Sequence, residues 1–173
     1  MNGVHICVRE LPDMESFELE TGRRSVESST LYLLYEFDSE IDLIINGKNV
    51  LTDYGEAPLG YPAFAFVAYM TNGMIELLKS GRAEISIYIM QEAVSGDEPH
   101  HVLDVAILAT DKKLAALSFS WTTTERAPRG LPVVKNELVP AKELVDQVLK
   151  TATPFKERVD ALAIQLGLAS RIK

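Results

Sequence analysis

The sequence predicts an α+β fold: a mostly antiparallel sheet packed against a central helix and two C-terminal helices. Three observations carry this reading. Two stretches have hairpin form, around Asn46-Gly47-Lys48 and around Thr110-Asp111-Lys112-Lys113. One long segment of helical periodicity, residues 62–80, stands between them, and two more helical segments close the chain. Strands do not alternate regularly with helices, so a βαβ nucleotide fold is not expected.

The elements follow in order. Val4 to Arg9 has the β-branched content of a strand, which Pro12-Asp13 ends. Phe17, Leu19 and Thr21 alternate with Glu18 and Glu20 and suggest a second strand. Residues 31–37 carry Tyr32, Tyr35 and Phe37 and suit a strand, although their propensities also permit a short helix. Ile41 to Ile45, then Asn46-Gly47-Lys48, then Val50-Leu51 reads as a hairpin, because Asn-Gly supplies the positive-φ pair of a type I′ turn. After a turn-rich stretch, Pro62 suits a first helical turn and Gly81 a helical stop. Between them Phe64, Val67, Met70 or Thr71, Met74 and Leu78 form the expected buried stripe, with Asn72-Gly73 as a weak point.

Three strands are expected near residues 83–90, 102–109 and 114–121. In the first, Ala83, Ile85, Ile87 and Ile89 alternate with polar neighbours; in the last, Ala115, Leu117, Phe119 and Trp121 share one face. Residues 122–136 read as a Thr- and Pro-rich connection. A helix begins near Pro140, with Leu144, Val145, Val148 and Leu149 inward. A second is capped by Thr153, starts at Pro154, and turns Val159, Leu162, Ala163 and Leu166 inward. The whole, 1–173, is read as one domain.

The chain carries 18 acidic against 6 basic residues over 1–110, and 7 against 11 over 111–173. The first part is thus at −12 and the second at +4, within a net charge of −8. An acidic surface repels a phosphate backbone and attracts a basic protein, so nucleic acid is not an expected partner. No apolar run approaches the ~20 residues that span a bilayer, and no apolar leader follows Met1, so no membrane partner is expected and the location is read as cytoplasmic. Cys7 is the only cysteine; among apolar neighbours it reads as a buried structural thiol.

No glycine spacing makes a phosphate loop, no G-x-S-x-G elbow occurs, and no cofactor is expected. His100-His101, flanked by Asp97, Glu98 and Asp104, is the densest set of ligand types. Adjacent residues of an extended chain point oppositely, so the two imidazoles do not readily share one tetrahedral ion. A solvated loop leading into a strand is the plain reading; acid/base or pH-sensitive binding through His100 is the functional one. His5 and Cys7 share a strand face without the polar pocket a catalytic pair needs.

Glu36, Asp38, Glu40 and Asp42 recur at every second residue. In an extended chain all four project from one face, with Phe37 and Ile41 on the other. Like charges so placed repel, and need either a turn or a cation. They form a candidate docking face for a basic protein, with Asp97, Glu98 and His100 as further candidate contacts.

The small acidic α+β domain, the aromatic-rich strand, the Asn46-Gly47-Lys48 hairpin and the hydrophobic helix after it resemble immunity proteins that neutralise bacterial polymorphic or contact-dependent toxins. The resemblance covers roughly residues 31–121. It implies tight binding of a basic toxin domain, often a nuclease, through carboxylates, and carries over no catalytic residue. The expectation is a non-catalytic protein-binding domain, an immunity protein or inhibitor of a basic toxin or enzyme. Alternatives are a structural or oligomerisation domain, and a small hydrolase or ligand-binding enzyme built from carboxylates and a histidine.

Overall fold

A computed structural model describes residues 3–13, 37–51, 61–87, 101–108, 113–121 and 134–167, except the side chains of residues 101 and 121. Nine strands and two helices lie within them: β1 (Val4–Val8), β2 (Asp38–Ser39), β3 (Ile41–Ile45), β4 (Lys48–Asn49), β5 (Tyr61–Pro62), α1 (Ala63–Ser80), β6 (Arg82–Ile87), β7 (His101–Ile107), β8 (Leu114–Trp121), β9 (Val134–Pro140) and α2 (Ala141–Gln165). The strands make three antiparallel sheets, β1-β3-β4, β2-β5 and β6-β7-β8-β9. The fold is α+β, with antiparallel sheets packed against a central and a C-terminal helix. None of the described helices is long and apolar enough to cross a membrane. The expected strand at Phe17–Thr21, and all of 31–37 but Phe37, lie outside the described residues.

The Asn-Gly hairpin forms as its chemistry requires. Asn46 and Gly47 take φ of 49° and 83°, and β3 and β4 pair through Ile45↔Lys48. In β6, β7 and β8 the buried positions alternate, and Ala83, Ile85, Leu103, Val105, Leu117 and Phe119 enter one core with β1, β3 and both helices. Burying a side chain such as Leu117 or Phe119 contributes about 1.5–3 kcal/mol each.

Strand β9 departs from expectation, since the sequence predicts a connection over residues 122–136 and a helix from near Pro140. Its alternation is broken by a bulge: two steps along β8, Leu117 to Phe119, face three along β9, Glu137 to Val134. Asn136 takes the extra position at φ 52°, its N–H held by Ser118 Oγ at 3.0 Å. Only Val134 and Val139 are buried, five residues apart, so no period-2 pattern is visible.

Helix α1 runs unbroken through Asn72-Gly73 and ends at Gly81, in the left-handed conformation, with its N–H bonded to Leu77 O at 2.8 Å. Its phase differs from the expected stripe. Phe66, Met70, Gly73, Met74 and Leu77 face the sheets, while Leu78 is 66% exposed and Phe64 and Val67 are half-buried. The apolar face is wide enough for either phase, and Gly73 decides between them by allowing the helix to close on Ile85 of β6.

The C-terminal segment is one helix, not two. Pro154 lies inside α2, and Thr153, expected as an N-cap, instead donates Oγ1 to Leu149 O at 2.8 Å. Leu144, Val148, Phe155, Val159 and Leu162 are buried at spacings of four, seven, four and three, so a single apolar stripe continues in phase past the proline. Leu149, expected inward, is 52% exposed. Phe64 and Val67 of α1 pack against Phe155 and Val159, and Leu77 and Leu78 lie beside Ala141 and Val145, so the two helices run antiparallel.

Candidate binding surfaces

Two surfaces stand out, an acidic edge and an apolar groove. The edge grows from the pairing of β1 with β3, in which Val8 faces Ile41 and Cys7 faces Asp42. One residue further, the Arg9 N–H donates to Glu40 O at 3.0 Å. Arg9 is thereby placed between two carboxylates, with Nη1 2.9 Å from Glu40 Oε2 and Nε 3.0 Å from Asp42 Oδ2. The hydrogen bonds that Arg9 donates to Asp42, then the charge of Asp42 and that of Glu40, hold the guanidinium pKa above the ordinary arginine value.

The neighbouring groups are fixed by the backbone. The Glu10 N–H donates to Ser39 Oγ at 2.9 Å, and the buried Ser39 hydroxyl donates to Glu40 O at 3.1 Å. Asn49 Nδ2 donates to Asp42 Oδ1 at 2.6 Å, while Asn49 Oδ1 accepts the N–H groups of Leu43 and Leu51. Alternation holds across the stretch: Phe37, Ser39 and Ile41 are buried, while Asp38, Glu40 and Asp42 lie on the open side. They do not share one strand, because the chain passes from the β2-β5 sheet into β3 at Glu40.

The edge therefore sets Glu40 and Asp42 around one arginine, leaving one uncompensated negative charge among these three residues, and Glu10 and Asp38 are exposed next to them along the chain. The expected cation is supplied from within the chain. Neither Arg9 nor Glu10 is visible as a member from local sequence, since only the β1–β3 register brings them there. Glu36, Asp97, Glu98 and His100 lie outside the described residues. His101 begins β7, one residue before the expected start at 102, its backbone paired with Ile87 and Trp121.

His5 and Cys7 occupy the outer face of β1. His5 is exposed and Cys7 half-buried, so the expectation of a buried thiol is corrected: Val4 and Ile6, not Cys7, turn to the core. Among the described residues, no group of three or more His, Cys, Asp or Glu side chains could hold a metal ion.

The groove lies between α1 and α2. It encloses about 620 Å³ and is walled by Phe64, Val67, Ala68 and Thr71 on one side and Leu149, Ala152 and Phe155 on the other. A second hollow of about 270 Å³ lies toward Leu78 and Val145. Thr71 donates to Val67 O and Thr153 to Leu149 O, both at 2.8 Å, so these hydroxyl protons are used within their own helices. Two intrahelical ion pairs, Lys142–Asp146 and Lys156–Asp160, line the α2 rim.

No family model, curated protein or solved structure matches the chain.

Proposed function

We propose that the chain is a non-catalytic protein-binding domain whose partner is basic, the kind of role immunity proteins fill when they neutralise a toxin. The observation that carries this reading is the acidic edge, where Glu40 and Asp42 hold a single guanidinium and Glu10 and Asp38 stand exposed next to them along the two chain segments. Glu10 and Asp38 are exposed and ready to meet lysine or arginine. Complementary charge of this kind speeds encounter and selects partners more than it adds affinity. It fits the bias of residues 1–110, and it uses Asp38, Glu40 and Asp42 as contacts.

The test is capture from host lysate by the immobilised chain, in parallel with a Glu10→Gln, Asp38→Asn, Glu40→Gln version. A partner held by the first and lost by the second, with an association rate that falls as salt rises, supports the reading. A partner held equally by both, or a salt-independent rate, overturns it.

A second reading, an oligomerisation domain, is favoured by the two hollows between α1 and α2, beside which Leu149 and Leu78 are each more than half exposed.

A further inference from the structure

We propose that the outer face of α2 pairs antiparallel with the same face of a second copy of this chain, about a twofold axis level with Thr151. Lys142, Asp146, Leu149, Thr153, Lys156 and Asp160 follow one another at steps of four, three, four, three and four residues. That spacing keeps side chains on one seam of a helix. The seam is open: Leu149 is 52% exposed, and the Lys142 and Lys156 side chains are 86% and 76% exposed.

An interface related by a twofold axis needs a patch that complements itself. Run in reverse, this seam does so at every step. Lys142 meets the second copy's Asp160, Asp146 meets its Lys156, and Leu149 meets its Thr153. Each Leu149 then lies over the other copy's groove, whose walls at Phe64, Val67 and Ala68 supply an apolar bed.

Two features of the charges point the same way. Both intrahelical pairs put lysine before aspartate, the weaker order for an i,i+4 pair, and exposed pairs of this kind stabilise a helix little. A second copy gives each lysine a second carboxylate. Moreover, Ala141–Gln165 carries four basic and four acidic residues and is neutral, in a chain at −8. A neutral face is where two such copies approach with least repulsion.

This pairing rests on the oligomerisation reading and uses none of the carboxylates of the acidic edge. Light scattering after gel filtration tests it. The native chain is expected at twice 19.2 kDa. Asp146→Lys with Asp160→Lys makes the seam wholly basic, and Lys142→Asp with Lys156→Asp makes it wholly acidic. Each variant is expected at half the native mass with an unchanged circular dichroism spectrum, and an equimolar mixture is expected to recover the dimer. Because misfolded chains would not be restored by mixing, recovery reports the face itself. A dimer that survives both charge sets, or two monomers that stay apart when mixed, overturns this face and leaves the oligomerisation reading standing. A native chain that is monomeric up to its solubility overturns both.

Discussion

Gly73 in the middle of α1 lies directly against Ile85 of β6, so that a Cβ at Gly73 would stand 2.4 Å from both Cδ1 and Cγ1 of the isoleucine. The glycine costs the helix about 1 kcal/mol relative to alanine, and the contact it allows sets the depth at which α1 packs.

Gly73→Ala is therefore expected to destabilise, since overpacking of about 1–3 kcal/mol outweighs the helical gain. Ile85→Ala alone opens a cavity and costs about 2–5 kcal/mol. In the Gly73→Ala background it should cost less, because the new methyl fills part of that space. A double-mutant cycle by urea denaturation checks this; additive losses would mean that the two residues do not meet as described.

The β3–β4 turn makes a separate prediction. No atom lies within 4 Å of a Cβ placed on Gly47, so Gly47→Ala meets only backbone strain at φ 83°, about 1–2 kcal/mol. Asn46→Ala should cost more. It keeps comparable strain and also removes the Nδ2 donor that reaches Glu137 Oε2 at 2.7 Å and ties the turn to β9. Equal losses for the two variants in chemical denaturation would show that the Asn46–Glu137 bond contributes nothing.

Those cases also show what a one-dimensional reading reaches. The Asn-Gly turn and the alternation of β6, β7 and β8 are local patterns, so they are legible. Strand β9 is not, because the bulge at Asn136 inserts a residue and shifts its inward positions out of period. The phase of α1 escapes too, since it is chosen by a contact with Ile85 twelve residues away. Among the acidic residues, Asp38, Glu40 and Asp42 are visible as a period-2 set, while Arg9 joins them only through strand register.

Pro154 tests the continuity of α2. Within a helix it lacks the N–H that would bond Lys150 O, so Pro154→Ala is expected to stabilise the protein by about 1–2 kcal/mol after allowing for the stiffer unfolded chain that proline provides. Thr153→Ala should be nearly neutral, because the threonine only bonds back to Leu149 O. Two helices meeting at Thr153 would give the opposite result in thermal melts: a loss of about 1 kcal/mol for Thr153→Ala and no gain for Pro154→Ala.

Arg9 sets how much negative charge the acidic edge presents. With the guanidinium pKa raised in the folded protein, the stabilisation from its pairs is complete below the unfolded value and is lost only as pH rises through the folded one, in strong alkali. Its charge is therefore constant across about pH 6 to 9. Arg9 is exposed, so Arg9→Ala should change stability little while uncovering Glu40 and Asp42. Binding of an oligolysine peptide, followed by calorimetry at low salt, should then tighten several-fold for Arg9→Ala and weaken for Glu40→Gln, with a steeper salt dependence in the former. If Arg9→Ala bound the peptide no better than the native chain, the edge would not be the surface on which basic ligands are received.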